Sequence, residues 1–237
     1  MKLAGKNERT FLILIIILSL LIRFFFILKG YRVYYPISPY INNDSFSFTD
    51  SFLNWWNYGV YTHTLNHIPG YTGRQPGYPM FWGLHYLIFG AKYVYQAVSV
   101  TQALLDVLAT YLMFEIAKKT ISVTAAFIVA VLYCFYPFII VWLTISGSEA
   151  LATFITILFF WHLFCNTANR YYFFWIGVLA AIGFYIRPYL GIFLPLGLLY
   201  AILQQPLRSI FIWNNFKKYT IAVLVFFYQE ILGINWH

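Results

Sequence analysis

Ionisable side chains that could perform chemistry are concentrated in one polar and aromatic stretch of an otherwise apolar chain, residues 43–79. The stretch contains two carboxylates, two imidazoles and a guanidinium group: Asp44, Asp50, His63, His67 and Arg74. Glu149 and Arg187 follow farther along the chain. Carboxylates exchange protons with reacting hydroxyl groups, and guanidinium groups bind anions in a planar fork. We therefore expect any reaction of this protein to be sited at this stretch.

The two histidines raise the question of a metal site. His63 and His67 are four residues apart, a spacing that would bring two metal ligands together on a helix. A Pro-Gly pair follows them, which favours a loop. Asp50 falls on another face of a helix than Asp44, so we expect it to be solvated. Without a convincing set of carboxylate and imidazole ligands, the sequence predicts no metal ion and no cofactor.

The composition decides the class of protein. Hydrophobic residues make up 62% of the 237-residue chain and charged residues only 9%. A soluble domain could not build its surface from so few polar groups, so we predict an all-α integral membrane protein. A net charge of +8 would suggest nucleic acid as the partner of a soluble chain; here the basic residues set the orientation among membrane lipids. Cys134 and Cys165 lie in apolar runs, which predicts no disulfide.

Apolar runs predict a single membrane domain, residues 1–237, that is a polytopic helical bundle of about seven spans. The predicted spans are residues 11–28, 93–117, 123–142, 149–165, 171–186, 190–203 and 219–234. Two shorter segments, 45–58 and 79–90, are too polar or too short to span. We predict that they are interfacial juxtamembrane helices in a first outer loop, residues 29–92, which carries the candidate site.

Basic residues predict which side of the cell membrane each loop faces. With the N-terminus in the cytoplasm, most lysines and arginines fall on the cytoplasmic side, as the positive-inside rule requires. If residues 79–89 spanned the membrane, Lys118 and Lys119 would change sides and this bias would weaken. The ionisable groups of the candidate site then all lie on the outer face, beside lipid and water, where a substrate with one lipid part and one water-soluble part would fit. Asp106 lies within a span and is predicted to pair with Arg23 or with Tyr and Gln neighbours.

Short motifs in a definite order carry a resemblance to a known family. They are Asn43-Asp44-Ser45, Gly59, RQPGYP from Arg74 to Pro79, Phe89-Gly90, Ser148-Glu149 and Arg187-Pro188. Their order and spacing resemble the N-terminal half of the GT-C glycosyltransferases related to dolichyl-phosphate-mannose protein mannosyltransferases and the bacterial lipid A aminoarabinose transferase. The resemblance covers residues 11 to about 203.

This resemblance implies that a sugar is transferred, usually with inversion, from a polyprenyl-phosphate carrier to an acceptor protein, lipid or glycan at the outer membrane face. It implies Asp44 as the catalytic base. Arg74 and Arg187 would bind the donor phosphate. Glu149, Tyr78 and His67 would contact substrate or acceptor.

Structural interpretations of the same residues stay open at this point. Asp44 could be a helix N-cap, Glu149 could favour a helix N-terminus electrostatically, and the arginines could anchor lipid headgroups. Tyr78 could be an interface anchor. If Asp44, Arg74, Glu149 and Arg187 act together, we expect them to open into one outward-facing cavity.

Two other functions are also open. One is transport of a lipid-linked substrate. The other is a noncatalytic or truncated membrane subunit that depends on a partner subunit, since longer members of the resembled family carry further C-terminal spans or a soluble domain. The chain is expected to lack those parts.

Overall fold

The computed structural model describes residues 5–35, 40–42, 44–65, 74–204 and 213–231, and this part of the chain is helical, with no strand. The helices are α1 (Lys6–Phe25), α2 (Tyr31–Tyr34), α3 (Ser45–Tyr58), α4 (Gly77–Thr120), α5 (Val123–Cys134), α6 (Pro137–Val141), α7 (Ser148–Cys165), α8 (Tyr172–Ile186), α9 (Phe193–Leu203) and α10 (Trp213–Ile231). A π-helical turn, Phe26–Gly30, joins α1 to α2, and a 3₁₀ turn, Pro188–Ile192, precedes α9. The predicted all-helical class is confirmed.

Several of these helices have the length and apolar composition of membrane spans. Three helical segments are long and apolar enough to cross a membrane: Asn7–Tyr34, Gly77–Thr120 and Ser148–Cys165. Three shorter helical segments are also apolar: Val123–Cys134, Tyr172–Ile186 and Pro188–Leu203. The number of seven spans and the interfacial position of the two short helices stay predictions.

Helix α4 is interrupted at Gly90. The residue has φ 69° and ψ 171°, a conformation that is readily accessible only to glycine. The break divides α4 into a short first part and a long second part. The predicted end of a short helix at Gly90 is therefore confirmed, and this helix begins at Gly77, just before Pro79.

The predicted span 123–142 is wrong in its second half, because α5 ends at Cys134. Tyr136 is extended, with φ −71° and ψ 106°, as expected for a residue that precedes a proline. After Pro137 the chain makes only the short helix α6 and then a non-helical turn before α7.

This turn is buried inside the protein. Residues 143–146 are fully inaccessible to solvent. Gln102 of α4 donates its amide to the carbonyls of Leu143 and Ile145, at 2.8 and 3.2 Å, and the Ser99 hydroxyl donates to the Thr144 carbonyl at 3.2 Å. Buried non-helical backbone is tolerated where protein groups satisfy its polar atoms, and α4 donates to three of its carbonyls here.

The buried acid Asp106 pairs with Arg23, as predicted. Arg23 Nε donates to Asp106 Oδ2 at 2.7 Å, and the Tyr133 hydroxyl donates to Asp106 Oδ1 at 2.6 Å. Arg23 also donates from Nη1 to the carbonyl of Cys134 at 2.6 Å, at the end of α5, where helix carbonyls lack intrahelical donors. This network joins α1, α4 and α5.

Close contacts position α3 and α8. The Phe52 ring of α3 lies directly on Gly83 of α4, where a Cβ atom would overlap the ring. In α8, a Cβ at Gly177 would lie 2.5 Å from the carbonyl oxygen of Ala222 in α10. Helix α4 packs against α1, α3, α5 and α7, and α8 packs against α7 and α10. Helix α3 therefore packs on the first part of α4, at one end of the bundle.

Candidate functional site

Asp44 lies immediately before α3 and forms an ion pair with Arg74, which lies just before α4. Arg74 Nη2 donates to Asp44 Oδ1 at 2.8 Å, and Arg74 Nε donates to the Ser47 hydroxyl at 2.8 Å. The Ser47 hydroxyl donates in turn to the Asp44 carbonyl at 2.6 Å. The guanidinium carbon lies 4.8 Å from the centre of the Phe48 ring. We call Asp44, Ser47 and Arg74 the Asp44 cluster.

Glu149 and Arg187 form a second ion pair of the same design. Arg187 Nη2 donates to Glu149 Oε1, and Arg187 Nε donates to the Ser148 hydroxyl at 2.6 Å. Glu149 lies in the first turn of α7, while Arg187 is extended, with φ −146° and ψ 121°, because Pro188 follows it. We call Ser148, Glu149 and Arg187 the Glu149 cluster.

In both clusters a guanidinium group is held at two of its three nitrogen atoms. Nε contacts a serine hydroxyl and Nη2 contacts a carboxylate. Neither Nη1 makes a hydrogen bond to the described residues. The clusters are partly exposed: the side chain of Asp44 is 71% exposed and that of Arg74 31%. A planar donor fork with one open nitrogen can bind the oxygen atoms of an anion.

Two backbone contacts bring the two clusters to the same end of the bundle. The amide of Ser146 donates to the carbonyl of Tyr40 at 2.8 Å, which joins the segment before Asp44 to the turn before Glu149. Gly77, three residues after Arg74, packs on the backbone before Arg187, where a Cβ would lie 2.6 Å from the carbonyl oxygen of Tyr185. The glycine in the RQPGYP motif thus permits the approach of the two arginine-bearing segments.

A cavity of about 460 Å³ adjoins the Glu149 cluster. Its lining residues are Trp142, Glu149, Ala152, Thr153, Thr156, Ile157, Arg187 and Tyr189. Asp44 and Arg74 are not among these lining residues. Of the four charged residues expected to open into one outward-facing cavity, Glu149 and Arg187 line this cavity, and the side of the membrane that it faces stays a prediction.

The other predicted contact residues have different positions. Tyr78 is fully buried, and its hydroxyl donates to Gln102 Oε1 at 3.3 Å. The Tyr78 ring packs on the Phe48 ring, with centres 5.1 Å apart. Tyr78 therefore lies in the core and not at a surface that a substrate could reach. His67 lies outside the described residues. Asp44 adjoins the start of α3, yet its side chain makes no capping hydrogen bond; the Asn42 side chain accepts the Ser45 amide at 3.0 Å.

Asp50 is half-buried instead of solvated. Partial burial raises the pKa of its carboxyl group, against smaller lowering effects of the Thr49 hydroxyl and His63. Among the described residues, no three His, Cys, Asp or Glu side chains are grouped so that they could hold a metal ion.

Sequence reasoning missed several residues of the site. Ser47 lies three residues after Asp44, one helical turn along, and this spacing is the signal that could have identified it as a partner of the same arginine. Trp142 and Tyr189 line the cavity but have no distinguishing pattern in an aromatic-rich chain. Thr153 and Thr156 follow Glu149 on one face of α7, where hydroxyl groups stand out in an apolar helix.

The described residues form helices, and several of these helices are apolar enough to span a membrane. With paired charges at one end, they define an integral membrane protein with a polar site. A family model described as dolichyl-phosphate-mannose-protein mannosyltransferase matches residues 73–230, more than half of the chain. The chain belongs to this family of GT-C glycosyltransferases and is a membrane glycosyltransferase. The matched range includes Arg74, Glu149 and Arg187 and begins after Asp44. No curated protein and no solved structure matches the chain.

Proposed function

We propose that this glycosyltransferase moves a sugar, with inversion, from a polyprenyl-phosphate donor to an acceptor hydroxyl group at the outer membrane face. The observation that carries the proposal is the presence of two guanidinium groups at one end of the bundle, Arg74 and Arg187, of which Arg187 lines a cavity. A donor of this kind has an anionic phosphate, a polar sugar and a long apolar chain. The two clusters offer contacts for the phosphate, and the apolar bundle offers them for the chain.

Asp44 is the proposed catalytic base. Its carboxylate is the most exposed charge of the two clusters, so an acceptor hydroxyl can reach it. As the acceptor oxygen forms a bond to the anomeric carbon, its proton passes to Asp44 and the bond from that carbon to the phosphate oxygen breaks. The electron pair leaves with the polyprenyl phosphate. A single displacement of this kind inverts the anomeric centre and requires one base.

Arg74 and Arg187 are the proposed partners of the leaving phosphate. Charge develops on the phosphate oxygen atoms as the bond to the sugar breaks, and preorganised guanidinium groups stabilise such charge. The leaving phosphate is stable as an anion, so no general acid is required. Glu149 holds Arg187 on one side and borders the cavity on the other, which supports a contact with the substrate or acceptor.

The cavity wall along α7 suits the first part of a lipid chain. Thr153 and Thr156 donate their hydroxyl groups to the carbonyls of Glu149 and Ala152, at 2.9 and 2.8 Å. Their hydrogen-bond donors are therefore already used, and Ala152 and Ile157 add apolar side chains to the same wall. The carrier would place its phosphate at Arg187 and its chain along this wall. The acceptor is a protein, a lipid or a glycan, and a partner subunit could present it.

Transfer assays with purified protein test the proposal. The protein in lipid nanodiscs is supplied with radiolabelled polyprenyl-phosphate sugars and a mixture of membrane acceptors, and transferred label is measured. Asp44→Asn should lower the rate by about 10²–10⁴-fold, the range for loss of a general base. Arg74→Ala and Arg187→Ala should each raise the KM for the donor by about 10-fold or more, as for loss of a charge-assisted hydrogen bond.

Matched variants separate these effects from simple loss of charge. Asp50→Asn removes a second carboxylate from α3, and Lys92→Ala removes an exposed cation near the break in α4; both should leave transfer near the wild-type rate. Equal transfer by Asp44→Asn and wild type would remove Asp44 as the base. No transfer by the wild type with any donor would instead favour a noncatalytic subunit.

A further inference from the structure

We propose that Gly147 is a positioning residue of the Glu149 cluster, because the space left by its missing side chain holds the Glu149 carboxylate against Arg187. This inference rests on the proposed function, in which Arg187 binds the donor phosphate. It adds to that function a residue that acts on the donor only through Glu149 and Arg187.

Gly147 is the N-cap residue of α7, and its backbone does not require glycine. With φ −154° and ψ 159° the residue is extended, a conformation that is open to every amino acid. Ser, Asp and Asn stabilise a helix slightly more at this position, because their side chains accept a hydrogen bond from the first turn, and α7 has no such side-chain cap. Neither backbone geometry nor capping therefore requires a glycine here.

Glycine at this position provides space for the carboxylate. A Cβ atom on residue 147 would overlap Oε2 of Glu149, whereas the next nearest atoms, Glu149 Cδ and Ile145 Cγ2, lie at ordinary contact distances of 3.6 and 3.7 Å. The other oxygen of the same carboxylate, Oε1, accepts the hydrogen bond from Arg187 Nη2. The Glu149 carboxylate thus contacts the backbone of residue 147 through one oxygen and the guanidinium group through the other.

A side chain at position 147 would move the carboxylate and not the turn before α7. The turn is held by hydrogen bonds: the Ser146 amide donates to the Tyr40 carbonyl at 2.8 Å, and α4 donates to three carbonyls of the turn. The Glu149 side chain is flexible and 32% exposed, so it can leave its place at small cost.

Arg187 loses one of its two contacts when the carboxylate moves. Its Nε still donates to the Ser148 hydroxyl at 2.6 Å, but Nη2 no longer has the Glu149 carboxylate beside it. A guanidinium group that is held at one nitrogen atom is less preorganised for a phosphate than one that is held at two. Gly147 therefore contributes to donor binding although it has no functional group of its own.

Equilibrium binding of radiolabelled polyprenyl phosphate to the purified protein in nanodiscs tests this inference. Gly147→Ala should raise the Kd about 2–5-fold, the range for loss of a weak, partly exposed ion pair. In a Glu149→Ala background the same substitution should leave the Kd unchanged, because no carboxylate remains to be displaced. In transfer assays, Gly147→Ala should raise the KM for the donor and leave kcat near that of the wild type.

Gly191→Ala is the matched control, four residues after Arg187. The atoms nearest to a Cβ there are ring carbons of Phe184 and Phe226, at 3.0 to 3.8 Å, and not a charged group. This variant should bind the lipid phosphate like its parent, with and without Glu149.

Stability provides a second measurement that does not depend on a substrate. Gly147→Asn supplies a capping side chain, which meets no carboxylate in the Glu149→Ala background and should raise the midpoint of SDS unfolding there. In the presence of Glu149 the rise should be smaller, because the carboxylate must be displaced. The two substitutions are thus expected to be non-additive, as for residues in contact.

The possible results separate this inference from the proposed function. Additive effects of the substitutions at positions 147 and 149, in either measurement, would overturn the positioning role. An equal loss of stability by Gly147→Ala with and without Glu149 would show that the turn moves instead, and would overturn it too. Non-additive unfolding in a protein that binds no lipid phosphate would support the positioning of Glu149 and overturn the proposed role of Arg187.

Discussion

Arg23–Asp106 and Arg74–Asp44 use the same two residue types in opposite surroundings. The guanidinium group of Arg23 is fully buried and contacts a carboxylate and two backbone carbonyls. The second oxygen of Asp106 accepts the hydroxyl of Tyr133. The Asp44 cluster lies at the end of the bundle, partly exposed, and its guanidinium group has one nitrogen atom without a partner in the described structure.

Burial and hydrogen-bond satisfaction distinguish a structural ion pair from a candidate binding site within this chain. A buried pair must be satisfied at almost every donor and acceptor, because an unpaired charge in the interior is costly. Such a pair holds helices together and leaves no hydrogen-bonding group free for a ligand. A partly exposed pair can exchange its partner at small cost. Donor groups without a protein partner are therefore tolerated there and are available to bind a ligand.

Disruption of the buried pair is expected to lower the stability of the protein most. Arg23→Met leaves Asp106 buried without its cation and should lower the free energy of unfolding by about 3–5 kcal/mol. The measurement is unfolding by SDS titration in mixed micelles, followed by circular dichroism. The double variant Arg23→Met with Asp106→Leu should recover part of this loss, because it removes the unpaired carboxylate. A loss as small as that of an exposed pair would contradict the structural role.

A smaller effect is expected at the contact that brings the two exposed clusters together. Gly77→Ala places a Cβ against the backbone of Tyr185 and Ile186, which cannot move aside as a side chain can. The variant should lose about 1–3 kcal/mol of stability, the usual cost of overpacking, and should also lose donor binding. Gly5→Ala is the control, since a Cβ there meets no atom within 4 Å. Wild-type stability of Gly77→Ala would show that the two segments are not in contact.

The smallest effect on stability is expected at the exposed pairs themselves. Asp44→Asn and Glu149→Gln should each change the free energy of unfolding by no more than about 1 kcal/mol, because exposed ion pairs contribute little. The difference from wild type should shrink further as salt is raised. The same SDS titration at low and high ionic strength measures both quantities. A loss comparable to that of Arg23→Met would place these residues with the structural pair.

Local sequence features predicted much of the fold. Apolar runs and terminal polar residues predicted the ends of α7 and α8 to within one residue. Gly90, a residue type that often ends a helix, predicted the break in α4. The position of Asp106 within an apolar run predicted that it is buried and paired with Arg23 or with Tyr and Gln neighbours, and the structure pairs it with Arg23 and Tyr133. Hydropathy could not predict the end of α5, because the residues before and after Pro137 are equally apolar and only the proline geometry ends the helix.

Composition and local patterns specify the class of the protein, most of its helical segments and the residue types of the candidate site, because apolar composition and local backbone preferences are properties of neighbouring residues. The pairing of the charges depends on the tertiary structure. It brought Arg74 to Asp44 and Arg187 to Glu149, added Ser47 and Ser148, and buried Tyr78. The contacts of the two arginines join residues 27 to 39 positions apart, and they depend on how α3, α4, α7 and α8 pack, which no local pattern specifies.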